Sequence, residues 1–129
     1  MILTTTLPAQ AAGAAAVTTL AGVYSPSFYS GDTVTDVQVL APYGFPSVAG
    51  QATDNVTISV RLLRDGVPVQ TFAALTVGTG ITVTAATPVP VPIIAQPTLL
   101  PSDVLDVRLQ QNGAGQAIGP GLIVSVFVS

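Results

Sequence analysis

The sequence has no cysteine, histidine, tryptophan, lysine or glutamate, and its 129 residues carry only six acidic side chains, all aspartate, and three basic ones, all arginine. Each absence removes a kind of chemistry. Without histidine or cysteine there is no ordinary transition-metal site, no thiol nucleophile and no disulfide framework. General acid–base work falls to aspartate, tyrosine or water, and a serine–histidine–aspartate triad is impossible. Charged residues are 7% of the chain, against about 25% in an ordinary soluble domain. A net charge of −3 also argues against nucleic-acid binding, since the phosphate backbone demands clustered cations. The chain is therefore read as not an enzyme, with no cofactor and no metal.

Long apolar runs are absent as well. Hydrophobic residues make up 49% of the chain, yet no stretch of the length a membrane helix needs is free of Pro, Thr, Gln or Gly. The segment Met1–Val17 has no basic residue and no leucine-rich core, so no signal peptide is expected and synthesis in the cytoplasm is. Residues 1–31, 66–102 and 109–129 contain no charge. A free monomer normally scatters charge over its surface; long neutral stretches suggest a surface that faces other protein.

What is present is alternation. In Asn55–Leu62 the residues Val56, Ile58, Val60 and Leu62 share one face, and Thr57, Ser59 and Arg61 the other. A period of two means a strand with one buried face. Asp65-Gly66 reads as a hairpin turn, with Val67–Leu75 returning. Thr33–Leu40 alternates after Gly31-Asp32, and Ile81–Ala85 after Gly78-Thr79-Gly80. Val104–Gln111 sends Leu105, Val107 and Leu109 inward and Asp106, Arg108 and Gln110 outward. Leu122–Val128 is apolar on both faces. Strands at spacings near ten residues predict a single antiparallel β-sandwich, jelly-roll-like, over residues 24–129. Residues 1–23 are expected to form an extended N-terminal arm or an added strand, in preference to a short helix over 9–16 interrupted by Gly13.

Thr87–Ile94 places prolines at 88, 90 and 92. Alternate residues of a strand point their N–H groups to one edge, so these prolines strip donors from one edge while Val89, Val91 and Ile93 remain able to pair on the other. Such an edge resists edge-to-edge aggregation.

Several motifs dissolve on inspection. The glycines of Gly113–Gly119 follow a strand but precede another strand, where a dinucleotide site requires a helix. Asp32, Asp36, Asp103 and Asp106 invite a calcium site, but calcium needs six to eight oxygens, and Asp32, Asp65 and Asp103 sit at turns. Asp106 and Arg108 share a face, an exposed pair worth under about 1 kcal/mol. Asn55-Val56-Thr57 fits a glycosylation sequon that is inert without secretion. Tyr24, Phe28, Tyr29, Tyr43 and Phe45 leave a sugar-binding platform open. Ile123, Phe127, Leu40 and Leu63 point outward, either covered within the domain or in subunit contact.

Ser30–Val34, Asn55–Gly66 and Pro101–Gly113 through the final apolar strand resemble the small capsid decoration (cement) proteins of tailed bacteriophages. The resemblance is one of style over most of residues 30–129, without a diagnostic motif. It implies a β-sandwich that coats a capsid, often as trimers, and stabilises the shell by binding across major capsid protein subunits. It carries no catalytic residues. The location implied is the capsid exterior of a virion, with no nucleic-acid or membrane partner. On this reading the contact residues are Met1, Ile2, Leu3, Leu7 and Val17 of the arm, with Leu40, Leu63, Ile123 and Phe127. The alternatives are another virion part, such as a small jelly-roll shell, head-fibre or tail component, or a carbohydrate-binding adhesin module.

Overall fold

The alternation at Asn55–Leu62 is a ten-residue strand, β5 (Asn55–Arg64), in a computed structural model that describes residues 1–25 and 32–129. It turns at Asp65-Gly66 into β6 (Val67–Thr76). Both turn residues have positive φ, 54° and 77°, the type I′ geometry whose twist matches that of the flanking strands.

From this apex the rest of the chain pairs outward in nested order. β4 (Val48–Ala49) pairs with β7 (Thr82–Val83), and β3 (Val34–Leu40) with β8 (Val89–Pro90). β2 (Val17–Val23) pairs with β9 (Val104–Asn112), and β1 (Ile2–Thr6) with β10 (Ile123–Val128). All are antiparallel. The chain is thus one long ribbon, and winding it adds the pairs β10·β3 and β9·β5. The product is two four-stranded sheets, β1-β10-β3-β8 and β2-β9-β5-β6. With the short β4·β7 pair set aside, that is the strand order of a jelly roll.

The core lies between the sheets. Val56, Ile58, Val60 and Leu62 meet Leu105, Val107 and Leu109 in one sheet and Val37, Val39, Val124 and Val126 in the other, with Phe72 fully enclosed. Each of these inward side chains contributes on the order of 1.5–3 kcal/mol by leaving water.

Of the two readings for residues 1–23, the structure has added strands, one on each sheet. Leu7 closes onto β10, exchanging backbone hydrogen bonds with Leu122 and Gly121. No helix forms over 9–16: Gln10 bridges Ile118 in extended pairing, and Gly13 has φ +71°. The strand expected at Ile81–Ala85 is only two residues long, and β4 had no alternating signal. The turn expected at Gly31, with Ser30, lies outside the described residues.

The proline segment does more than guard an edge. Val89 and Pro90 pair with Val39 and Gln38, and Val91 donates to the Val37 carbonyl at 2.8 Å. The chain then crosses to the other sheet, where Ala74 donates to the Pro92 carbonyl at 3.0 Å and Ile94 to the Phe72 carbonyl at 2.8 Å. Ile93 therefore does not continue along β3, as the sequence pattern suggested, but bridges Ala73 of β6. The segment straps the two sheets together on one side. On the opposite side Thr5 Oγ1 donates to the Leu20 carbonyl, joining β1 to β2. Pro88 and Pro90, both exposed, remain on the outer edge of β8. Replacing both by alanine restores two edge donors, and we expect unchanged secondary structure by circular dichroism but faster concentration-dependent light scattering; scattering equal to the parent would contradict this role.

Candidate functional site

The described residues contain no group of three or more acidic side chains that could hold a metal. Five of the six aspartates are instead engaged in holding the fold. β5 and β9 are paired so that Arg61 stands directly opposite Asp106. Arg61 Nε donates to Asp106 Oδ1 at 2.9 Å and Nη2 to Oδ2 at 2.7 Å. Asp106 does point to the outer face of its sheet, but it is 1% exposed. Its ion-pair partner is Arg61 across the ladder rather than Arg108 two residues on. The exposed, weak pair expected from the sequence is a buried bidentate one, in which geometry and desolvation both matter. The hydrogen bond to Asp106 raises the Arg61 pKa above its ordinary value.

The second pair closes the same end. Arg64 Nε and Nη2 donate to Asp103 Oδ1 and Oδ2 at 2.9 and 2.8 Å, and the Leu100 backbone N–H donates to Oδ2 at 2.8 Å. Asp103 is a turn residue, as expected, but also a buried anchor. The Arg64 guanidinium, against the opposing effect of burial, holds its carboxyl below the usual aspartate range, and the Leu100 N–H adds to the lowering.

Asp32, Asp36 and Asp54 also accept hydrogen bonds within the fold. Tyr24 donates its hydroxyl to Asp32 at 2.7 Å, which raises the tyrosine pKa. Asp36 accepts from Val37 N–H and from Gln38 Nε2, and Asp54 accepts from Ala114 N–H. At the far end an amide cluster joins the loops: Gln111 Nε2 donates to Gln10 Oε1 and to the Gln116 carbonyl, and Asn112 Nδ2 donates to Asn55 Oδ1. Asn55 is buried and donates to the Gln51 carbonyl, so the sequon is closed to a glycan. The Gly113–Gly119 loop leads into β10, with no helix at its end.

Two outward faces remain. On the β1-β10-β3-β8 sheet the register aligns Ile2, Phe127 and Asp36 in one row, Thr4, Ser125, Gln38 and Pro90 in the next, and Thr6, Ile123 and Leu40 in a third. Ile123, Phe127 and Leu40 are thus brought to one face, half-buried, with Ile2 exposed beside them. Met1 is exposed and Leu3 half-buried against the core. Leu7 is buried in the core and presents no contact surface. Val17, half-buried, pairs with the inward residue Leu109. Leu63 lies on the outer face of the other sheet, between Val104 and Pro68. That face also carries Leu20 and Val23, 67% and 58% exposed, surface residues that β2, with its weak pattern of small and polar residues, does not reveal in the sequence. Of the aromatic platform, Tyr24 and Phe45 are buried and only Tyr43 is open, at 90%; Phe28 and Tyr29 lie outside the described residues.

Comparison with protein-family models, with curated proteins and with solved structures gives no match.

Asp103 titrates lower folded than unfolded, so its contribution is present above the ordinary carboxylate range and is lost as pH falls through its lowered value. Unfolding by urea at stepped pH should show Asp103→Asn less stable than the parent at neutrality, with the gap narrowing below about pH 4; a gap independent of pH would refute the assignment. Arg61→Met leaves the buried Asp106 carboxylate unpaired and is expected to cost about 3 kcal/mol, much of it recovered in Arg61→Met/Asp106→Leu.

Proposed function

We propose that the chain is a structural protein that assembles with other protein, and specifically that it decorates and stabilises a bacteriophage capsid by binding across major capsid protein subunits. The observation that supports this best is how its few charges are used. Two of three arginines and most aspartates are engaged inside the fold. What faces outward is largely neutral, and exposed apolar residues lie on both sheet faces. Binding through such a surface rests on apolar contact and backbone-rich edges, with the repetition of a lattice supplying avidity. The jelly-roll strand order suits this reading, since the architecture recurs in viral shells as well as in lectins, although fold by itself does not decide function. In this reading the Ile2, Phe127, Ile123 and Leu40 face of the β1-β10-β3-β8 sheet meets the capsid.

The same strand order supports a second reading, a small jelly-roll shell component. The two differ in whether a head survives without the chain. Antibodies raised against the purified chain are expected to label the outside of tailed-phage particles from cultures in which it is encoded, with heads intact in its absence; heads that fail to form indicate the shell role, and unlabelled particles defeat both. On the decorated particles, washing from about 0.01 M to about 1 M salt shortens the Debye length from roughly 30 to 3 Å. Occupancy should change little across that range. A steep loss would show that charge, not apolar contact, holds the protein.

A further inference from the structure

The outer face of the β2-β9-β5-β6 sheet is ordered along its strands. One row is Val23, Val104, Leu63 and Pro68; the next is Leu20, Asp106, Arg61 and Thr71; the next is Thr18, Arg108, Ser59 and Ala74. The middle row is polar but already neutralised by the Arg61–Asp106 pair, so covering it strands no charge. Arg108 is the one arginine without an ion pair among the described residues. At the other end, Asp65 in the hairpin turn is exposed and makes no hydrogen bond or ion pair, acting on Arg64 only through space.

We propose that this face packs against the same face of a second copy of the chain, about a two-fold axis that crosses the strands at the level of Leu62 and Leu105. Those two residues are directly paired. The inference rests on the reading of the chain as an assembly protein and names the self-contact.

The axis follows from the spacing. Arg108 lies at the level of Ser59, three residues from Leu62 along β5, and Asp65 lies three residues beyond Leu62 on the other side. Each step is about 10 Å at roughly 3.3 Å per residue. A two-fold axis across the strands exchanges the two levels, so Arg108 of each copy reaches the level of the other's Asp65. They are offset by one to two strand spacings of about 4.8 Å, a gap that an extended arginine side chain covers. The same rotation sets Leu20 of each copy against Val23 of the other, because their rows lie one residue to either side of the axis. The face is thus self-complementary in charge and in apolar contact, the condition for a closed two-fold interface. Four strands of about ten residues offer roughly 600 Å² per copy, below the roughly 800 Å² of a typical stable complex. The dimer should therefore be weak and concentration-dependent.

Sedimentation equilibrium of the purified full chain, without any particle, tests the contact separately from capsid binding. A reversible monomer–dimer equilibrium is expected. Leu20→Ser, at an exposed position, should leave the circular dichroism spectrum unchanged and weaken association about tenfold or more. Asp65→Asn, which keeps a residue that tolerates positive φ, and Arg108→Gln should each weaken it several-fold, and the double variant no more than either alone. A chain that stays monomeric, a trimer mass, a Leu20→Ser variant that associates like the parent, or charge effects that multiply in the double variant would overturn the proposal. A dimer in solution together with phage particles that do not carry the chain would leave this contact standing and defeat the capsid reading alone.

Discussion

Everything in this molecule hangs from the nested antiparallel pairing that begins at Asp65-Gly66. β5 and β6 pair across a two-residue turn, and the chain on either side is laid out as a ribbon in which each pair lies outside the one nested within it. The side-chain period of two makes the register strict: a slip of one residue would send Val56, Ile58, Val60 and Leu62 to the solvent side together. Most of the pairs are far apart in sequence, up to Ile2 with Phe127. Their closure entropy must be met before their contacts form, which places special weight on the local turn at the apex.

The winding of that ribbon decides how the charges are used. Arg61 and Asp106 are far apart in sequence but adjacent across the β5·β9 ladder, and Arg64 and Asp103 close the same end of it. The β5·β9 pair is one that winding creates rather than the hairpin itself. The two ion pairs therefore lie on a junction between parts of the ribbon, where losing one partner would leave a buried carboxylate without its cation. A chain with so few charges has engaged most of them in its own fold, and its neutral exterior is the consequence.

Much of this could be read from residues alone, and where it could not the cause is specific. The strands at Val34–Leu40, Asn55–Arg64 and Val104–Asn112 announce themselves because each buries one face, and a half-buried strand must alternate; Val67–Thr76 is legible from the turn before it, and Ile123–Val128 from its apolar run. The Asp65-Gly66 turn is legible for an equally local reason, the need for positive φ. β1 and β2 gave a weaker signal: they are edge strands with small and polar residues, and Thr4, Thr6 and Thr18 face solvent. Leu20 and Val23 give no sign of their exposure for the same reason. Pairing of Asp106 with Arg61 was invisible, since it depends on which strands become neighbours. Gly50 shows the same limit: a side chain there would meet the Gly78 carbonyl oxygen at 1.7 Å, a constraint imposed by a segment nearly thirty positions away.

By itself, then, the sequence determined the all-β class, most strand positions, the apex turn and the absence of the residues that histidine, thiol or lysine chemistry requires, because each of these depends on residue type or short spacing. Only the tertiary structure decided that Ile2–Thr6 and Val17–Val23 are strands, one in each sheet, that the proline segment straps those sheets together, that Leu7 is core, and that Leu20, Val23 and Arg108 share an outward face. These depend on register between distant strands, and register is set by the whole wound ribbon rather than by any stretch of it.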